Sequence, residues 1–470
     1  MGRDRNSLWI MYCSAMLLNL SGCGGNSSVG VAPPPPAGHN KWTWESGASV
    51  INQPGNYGTQ GTSAAPNAPG AREGAVKWTD ASGNFWMFGG IAQSTQASDS
   101  FLNDVWEYSG GQWTWVSGSS GYNQAGVYGT RGTPDPHNTP GGRTDAVSWK
   151  DASGNLWLFG GLGLDVNGDS EELNDLWKYS AGEWTWMGGP QVATLFQPGV
   201  YGVEGTAAPG NLPGGRSDDV AWTDSVGNFW LFGGLGFDSV GTWGYLNDLW
   251  KYSGGEWTWV GGSNLAQDAG SYGTLGVASP NNWPHARSDA AAWVDASGNF
   301  WLFGGEFNQP LGAEYALNDM WKYSGGQWTW IGGSDQVDQA GIYGTMGVAS
   351  AGNVPGARAA TTTWTDASGN FWLFAGFGMT QSTGCQFPND LWKYSAGEWT
   401  WVGGPQVTGC SLGWGSYGAF GVESAGNYPG SRLYGTGWTD SSGNLWLFGG
   451  DGADSNGAQG YLSDFWKYEP

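Results

Sequence analysis

Residues 143–186 read RTDAVSWKDASGNLWLFGGLGLDVNGDSEELNDLWKYSAGEWTW, and this segment recurs along the chain and decides its fold. Runs rich in Trp, Phe, Leu, Tyr and Thr alternate in it with Gly, Asp, Asn and Ser, which is typical of short strands joined by tight turns. The run 156–159 is apolar without alternation, as expected of a strand buried on both faces. Four strands are predicted in this copy, at about 143–149, 156–159, 173–179 and 183–187.

The copies of this segment keep a fixed register. In each of six copies an Arg lies 18 residues before the second Gly of a doublet, and a Tyr lies 18 residues after that Gly. Six repeats of a four-stranded antiparallel unit predict a β-propeller. The Arg and Tyr residues are Arg72, Arg143, Arg216, Arg287, Arg358, Arg432, Tyr108, Tyr179, Tyr252, Tyr323, Tyr394 and Tyr468.

The two ends of the repeat region complement each other. Residues 41–44 (KWTW) correspond to a fourth strand without the first three, and residues 463–468 (SDFWKY) to a third strand without a fourth. Pairing them would complete a sixth sheet and remove sheet edges that invite aggregation. We therefore predict an all-β fold over residues 41–470, a six-bladed propeller in which the N-terminal strand completes the last blade.

The repeat also carries a recognisable motif. A Gly doublet ends the second strand, and a Tyr is then followed by a Trp seven positions later, as in the pair Tyr179 and Trp186. This pattern resembles the kelch motif, which is also found in the propeller of galactose oxidase. The chain departs from it at Ala375, which replaces the first Gly of the fifth doublet, and in its long connections between blades. The resemblance implies a fold, because kelch propellers serve many unrelated functions.

The N-terminus predicts export. Residues 1–22 resemble a bacterial lipoprotein signal, with Arg3 and Arg5 before an apolar stretch at 8–20, and LSGC at 20–23 resembles a lipobox. We expect Cys23 to carry lipid and residues 23–40, with four Pro at 33–36, to form a tether. The protein would then be anchored to the cell envelope through this lipid alone, in the outer membrane of a Gram-negative cell. The alternative is an ordinary secretory signal and a secreted protein.

Composition restricts the partners. Without residues 1–22, which hold two Arg and one Asp, the chain has 15 Lys and Arg against 39 Asp and Glu, a formal balance of −24. Such a surface repels phosphate backbones, so nucleic acid is excluded as a partner. A monomer is expected. Cys385 and Cys410 are predicted to form a disulfide in an oxidising compartment.

Repetition separates architectural residues from candidate functional ones. A residue present in every copy solves the same packing problem six times, whereas a binding residue should break the repeat. Of 34 Trp, 30 occupy five repeated positions, and Trp9 belongs to the leader. Each copy also repeats an Asp, which we predict to pair with the repeated Arg as a structural ion pair; these are Asp104, Asp175, Asp248, Asp319, Asp390 and Asp464.

The residues that break the repeat define a candidate site. In antiparallel blades the connections between strands two and three and between blades lie at one end, and both sets are long, so function is expected on that face. Trp243, Trp283 and Trp414 lie in these connections. Trp243, Trp283 and His285 are predicted near the junction of the third and fourth blades, where an indole stacks on a sugar ring. The alternative is that the two Trp pack on each other.

Three carboxylates extend this candidate site. Asp145, Asp218 and Asp289 each follow their Arg by two residues, where the other copies have Gly74, Ala360 and Tyr434. Carboxylates on one side of a channel could accept hydrogen bonds from sugar hydroxyls or hold a cation.

Two cofactors were considered. Asp165, Asn167, Asp169 and Glu171 alternate as in a calcium loop, but the Gly and the twelfth-position Glu of an EF-hand are missing, so a solvated acidic loop is the alternative. Galactose oxidase, by resemblance, requires two His, Tyr ligands and a Cys–Tyr cross-link. This chain has three His, at 39, 137 and 285, in different segments, so copper oxidase chemistry is not expected and no other cofactor is predicted.

Together these features predict a non-catalytic, surface-anchored propeller that binds a glycan or a protein on its long-loop face. One alternative is a polysaccharide hydrolase or lyase that uses loop carboxylates, for which the candidates are Asp218, Asp289, Glu306 and Glu314. A purely structural envelope protein is the other.

Overall fold

The computed structural model describes residues 40–93, 100–194, 196–308, 314–380, 387–405 and 413–470. In these ranges the regular structure consists of β-strands in small antiparallel sheets, so the all-β prediction is confirmed. No helix capable of crossing a membrane occurs in these ranges. The predicted leader, Cys23, most of the tether, Cys385 and Cys410 lie outside the described residues.

Five sheets share one plan, in which each strand pairs antiparallel with the next along the chain. We number them by chain order. Their strands are Val76–Thr79, Phe85–Phe88, Val105–Ser109 and Gln112–Ser117 in the first; Val147–Lys150, Leu156–Phe159, Leu176–Ser180 and Glu183–Gly188 in the second; Val220–Thr223, Phe229–Phe232, Leu249–Ser253 and Glu256–Gly261 in the third; Ala291–Val294, Phe300–Phe303, Met320–Ser324 and Gln327–Gly332 in the fourth; Thr362–Thr365, Phe371–Phe374, Leu391–Ser395 and Glu398–Gly403 in the fifth.

The sixth sheet combines both ends of the chain. Thr436–Thr439 pairs with Leu445–Ala453, which pairs with Gln459–Glu469. The N-terminal strand Lys41–Ser46 lies antiparallel against Gln459–Glu469, with Lys41 opposite Glu469 and Trp44 opposite Trp466.

Short ribbons extend the sheets beyond the Gly doublets. The predicted first strand at 143–149 is interrupted, because Asp145 has a φ of 53° and an extended strand cannot continue through it. The ribbon strands are Arg143–Thr144, Leu162–Leu164 and Ser170–Glu172; Arg216–Ser217, Leu235–Phe237 and Trp243–Tyr245; Glu306–Asn308 and Glu314–Ala316; Arg358–Ala359 and Phe377–Gly378; and Arg432–Leu433.

Aromatic side chains fill the space between neighbouring sheets. Trp149 stacks on Phe229 of the third sheet, with ring centroids 5.4 Å apart, and Trp222 stacks on Phe300 of the fourth at 5.1 Å. Phe85 of the first sheet stacks on Trp438 of the sixth at 5.5 Å. Such pairs add to the stabilisation gained from burying the rings. The prediction that the repeated Trp are packing residues is confirmed.

The predicted ion pairs are present in all six repeats. In the second, Arg143 Nη1 and Nη2 donate to the two carboxylate oxygens of Asp175 at 2.6 and 2.9 Å, and both side chains are fully buried. Tyr128 Oη and Trp177 Nε1 each donate to the same Asp at 2.7 Å. The pairs are Arg72–Asp104, Arg143–Asp175, Arg216–Asp248, Arg287–Asp319, Arg358–Asp390 and Arg432–Asp464.

Candidate functional site

Six backbone hydrogen bonds link the repeats to one another just before their first strands. Each repeat contributes one residue, whose N–H donates to the carbonyl of the equivalent residue in the preceding repeat. Gly74 of the first repeat donates to Tyr434 of the sixth, so the six hydrogen bonds form a closed ring. The donor–acceptor distances run from 2.9 Å, for Asp289 to Asp218, to 3.4 Å, for Gly74 to Tyr434. We call these residues the inner ring: Gly74, Asp145, Asp218, Asp289, Ala360 and Tyr434.

Every inner-ring residue has a left-handed backbone, with φ between 52° and 63°. Gly and Asp tolerate this conformation better than most residues, which explains four of the six positions. A Cβ at Gly74 would also displace the side chains of Thr144 and Asp145. Ala360 and Tyr434 adopt a less favourable conformation that the hydrogen bonds of the ring maintain.

Adjacent hydroxyls orient the three ring carboxylates. Thr144 Oγ1 donates to Asp145 at 3.0 Å, Ser217 Oγ to Asp218 at 2.9 Å, and Ser288 Oγ to Asp289 at 2.7 Å. Asp145, Asp218 and Asp289 are partly exposed. The structure therefore brings together the three Asp that the sequence singled out, in one repeated geometry beside the long connections.

Three further carboxylates lie at the same place. Glu73 precedes Gly74, and Glu306 and Asp451 each follow a Gly doublet. Backbone pairing places them beside the inner ring, because Glu73 pairs with Ile91, Ser288 with Glu306 and Leu433 with Asp451. We call the six groups the acidic mouth: Glu73, Asp145, Asp218, Asp289, Glu306 and Asp451.

Sequence reasoning proposed Glu306 but missed Glu73 and Asp451. Both residues break the repeat, and this was the sequence signal that could have identified them. The counterparts of Glu73 are Thr144, Ser217, Ser288, Ala359 and Leu433, and those of Asp451 include the apolar Ile91, Leu162, Leu235 and Phe377.

The carboxyls of the acidic mouth influence one another. Burial raises the pKa of Glu73 well above its ordinary value, and Asp451, Asp145 and Asp218 raise it further. Burial likewise raises the pKa of Asp289, with added contributions from Asp218, Glu306 and Asp145. Burial raises the pKa of Asp451 to about 6. The pKa values of Glu73 and Asp289 therefore depend on neighbouring carboxyls of the acidic mouth.

The other side of the inner ring is less polar. Ala360 and its neighbour Ala359 are buried, as is Leu433 beside Tyr434, and the Tyr434 side chain is partly exposed. Burial, followed by the charges of Asp289, Asp218, Glu306 and Asp145, raises the pKa of Tyr434. The mouth thus combines acceptor oxygens with an aromatic surface.

The predicted Trp and His residues have different environments. Trp283 is partly buried, donates its indole N–H to the Asn247 carbonyl at 2.6 Å and packs against Trp328 at 6.4 Å. The His285 ring lies 3.8 Å from that of Phe307, and burial lowers its pKa. Both are held by packing contacts, whereas Trp243 is 42% exposed. The indole of Trp243 is therefore more accessible to a ligand than that of Trp283.

One of the proposed calcium ligands, Asp165, is used in a turn. The Asp165 carboxylate accepts hydrogen bonds from the backbone N–H groups of Asn167, Asp169 and Ala193, at 2.7, 3.0 and 3.0 Å. Asp238 makes the equivalent bonds in the third repeat, and Asp165 is fully buried. In the described ranges no three His, Cys, Asp or Glu side chains converge to hold a metal ion. Asp165 therefore has a structural role in this turn.

The two His residues in the described ranges lie in different connections. His137 is exposed and contacts Asp135 at 2.8 Å, while the His285 ring packs against Phe307. His39 lies outside the described residues.

Acidification from pH 7.5 to 4.5 is expected to stabilise the folded protein. Asp451 has a pKa of about 6 when folded and 3.8 as its ordinary value, so the folded state binds more protons between these values. The stability that Asp451 contributes is complete below the ordinary pKa and is lost as the pH rises through 6. The full difference is about 3 kcal/mol. Asp451→Asn should therefore be more stable than the unmodified protein at pH 7.5 and respond less to acidification.

Melting temperatures measured across this range test the prediction. Asp335→Asn, which removes an exposed carboxylate, controls for the loss of one negative charge. An equal pH response in Asp451→Asn and the unmodified protein would contradict the assignment.

No protein-family model matches the chain, and no curated protein matches it. The solved structures that are similar to it include the following two. One, titled "Structure of YjhT", has 14% identity and a TM-score of 0.46, and covers 85% of this chain and 95% of its own. The other is a fungal alcohol oxidase of the AA5 family in complex with copper, with 13% identity and a TM-score of 0.43 over 85% of this chain. The aligned region spans 62% of the oxidase, and both likenesses concern the fold alone.

Proposed function

We propose that the protein is a six-bladed β-propeller that binds a glycan at the acidic mouth. Closure into six blades is supported by the pairing of Lys41–Ser46 with Gln459–Glu469 and by the inner ring, to which each repeat contributes one residue. Contacts between the first strands of neighbouring sheets, including Val76–Thr79 with Thr436–Thr439, support it as well.

The observation that carries the binding proposal is the arrangement of Asp145, Asp218 and Asp289. They break the repeat, their carboxylates are fixed by neighbouring hydroxyls, and they remain partly exposed. Fixed acceptor oxygens recognise sugar hydroxyls, and an aromatic face such as that of Tyr434 packs on the apolar face of a sugar ring. Trp243 offers a further exposed indole for an extended glycan.

The anchor is proposed from the sequence. Residues 1–22 would direct export and lipid on Cys23 would hold the monomeric propeller at the envelope, on a tether formed by residues 23–40. The disulfide between Cys385 and Cys410 stays a prediction, as does outer-membrane location in a Gram-negative cell.

A polysaccharide hydrolase is the second candidate function. Glycoside hydrolysis needs a protonated carboxyl beside an ionised one, and the raised pKa of Asp289 next to Asp218 is compatible with that division. Release of reducing ends from a bound oligosaccharide, lost in Asp289→Asn, would distinguish catalysis from binding.

Asp218→Asn and Asp289→Asn are each expected to weaken glycan binding at least tenfold. The amide keeps the size of the side chain but exchanges one acceptor oxygen for a donor, so a hydroxyl hydrogen bond is lost. A glycan-array screen of the purified protein identifies a binding oligosaccharide, and calorimetry then measures its affinity for each variant.

Asp169→Asn is the matched control, since Asp169 is an exposed Asp of a long connection away from the inner ring. It should bind as the unmodified protein does. Unchanged affinity in both ring variants, with normal melting temperatures, would place the ligand elsewhere.

A further inference from the structure

We infer that the acidic mouth binds an ammonium group, so that the glycan it recognises is an amino sugar with free amines. The location of the glycan rests on the function proposed above. The preference for a ligand with an ammonium group rests on the acidic side chains of the mouth and on a carboxyl oxygen there that has no hydrogen-bond donor.

The mouth has an excess of negative charge. Six carboxyl groups face it from five of the six repeats, and the adjacent Arg side chains are committed elsewhere. Arg72, for example, donates from both terminal nitrogens to Asp104 at 2.7 and 2.8 Å and from Nε to the Gly70 carbonyl at 3.1 Å. Arg216 makes the same bonds to Asp248 and Gly214. These guanidinium groups balance their own Asp and leave the mouth acidic.

One acceptor in the mouth lacks a donor. Glu73 is 9% exposed, and its Oε2 is buried without a hydrogen-bond partner. Glu73 directly precedes Gly74 of the inner ring and pairs with Ile91, and the charges of Asp451, Asp145 and Asp218 raise its pKa. A buried carboxylate oxygen without a donor is unfavourable, and a ligand that supplies an N–H group relieves this cost.

An ammonium group matches these acceptors better than a hydroxyl or a metal ion. It has three donors, no acceptor and a positive charge, whereas a hydroxyl supplies one donor and leaves the charge uncompensated. In the described part of the chain, no three acidic, His or Cys side chains converge closely enough to hold a metal ion. An amine on a sugar ring can reach carboxylates that stand apart, and the formal net charge of −23 attracts cations to the protein.

A cation among these carboxyls should displace protons. Asp451, with a pKa of about 6, is partly protonated near pH 6, and a bound positive charge favours release of that proton. Binding of an amine near pH 6 should therefore release protons to the buffer, which binding of a neutral sugar would not do. This readout is independent of affinity.

The test compares four probes by calorimetry with the purified protein at pH 6, in two buffers of different ionisation enthalpy. The probes are a glucosamine oligomer, its fully N-acetylated counterpart of the same length, spermidine and sodium ion. We expect the glucosamine oligomer to bind at least tenfold more tightly than the acetylated one and to release protons. Glu73→Gln should reduce the affinity for the glucosamine oligomer at least tenfold and reduce the preference for it over the acetylated oligomer.

Glu172→Gln is the matched control, because Glu172 is a buried Glu of the ribbon Ser170–Glu172 and not a member of the mouth. It should bind all probes as the unmodified protein does. Equal affinity for the two oligomers, with no proton release, would overturn the inference but leave the glycan function intact. Binding of spermidine alone, with loss in Glu73→Gln, would retain the ammonium site and reject the glycan. Failure of both amine probes to bind would overturn the inference.

Discussion

Deletion of residues 41–46 should lower the melting temperature by more than 10 °C or abolish cooperative unfolding. This strand supplies the outer edge of the sixth sheet, and Trp42, which is 1% exposed, packs on Phe374 and Tyr468 with ring centroids at 5.5 and 5.0 Å. Truncating a buried Trp alone costs about 3–5 kcal/mol, and the deletion also removes the backbone pairs with Gln459–Glu469.

The strand also ties the sixth sheet to the preceding connection. Gly421 donates its N–H to the Trp44 carbonyl at 2.9 Å, Asn427 Nδ2 donates to the Trp42 carbonyl at 3.2 Å, and Lys41 forms an ion pair with Glu423 at 2.9 Å. Losing the strand removes these contacts and exposes a sheet edge.

Thermal unfolding followed by near-ultraviolet circular dichroism measures this effect. A synthetic peptide of residues 40–47 added to the shortened protein should restore stability, and a peptide of scrambled sequence should not. A shortened protein that melts at the original temperature would show that the strand is dispensable.

Much of the fold was predictable because every packing problem occurs six times. The Trp that pack between sheets and the Arg–Asp pairs keep the same spacing in each repeat, so chance similarity is excluded by repetition. Strand boundaries were harder to predict from the sequence. The first strand is broken at the inner ring by left-handed residues, and the ring accepts Ala360 and Tyr434, which have no sequence preference for that conformation.

The site was predictable in part. Asp145, Asp218 and Asp289 were found because they break the repeat at one position. Trp283 also breaks it but fills space beside Trp328, since a loop residue can differ simply to pack against its neighbours. The same criterion therefore selected both a candidate ligand group and a packing residue.

Glu73 and Asp451 required the structure for a different reason. They stand at other positions of the repeat, and only the pairing of Glu73 with Ile91 and of Leu433 with Asp451 brings them beside the inner ring. Spacing along the chain does not predict that the residue after the repeated Arg pairs with the residue after the Gly doublet, which is what brings these carboxylates to the acidic mouth.

Asp248→Asn is expected to destabilise the protein by about 3–5 kcal/mol, because it leaves the buried charge of Arg216 uncompensated. Arg216 and Asp248 are both fully buried and joined by two hydrogen bonds of 2.8 Å. Burial opposes the charge on Arg216, and Asp248 nevertheless holds its pKa above the ordinary value. Tyr201 Oη and Trp250 Nε1 donate hydrogen bonds to the same carboxylate, so the substitution also weakens these two hydrogen bonds.

Other repeats provide internal controls for this substitution. Denaturant unfolding measures the change in the free energy of unfolding for each variant. Asp175→Asn should cost the same, since Arg143 and Tyr128 surround Asp175 in the same geometry. Asp335→Asn, at an exposed Asp, should change stability by less than about 0.5 kcal/mol. A loss below about 1 kcal/mol in Asp248→Asn would mean that Arg216 finds other acceptors. Equal losses at Asp248 and Asp175 would instead show that each repeat depends on its own buried pair, which is why the Arg and Asp recur in all six.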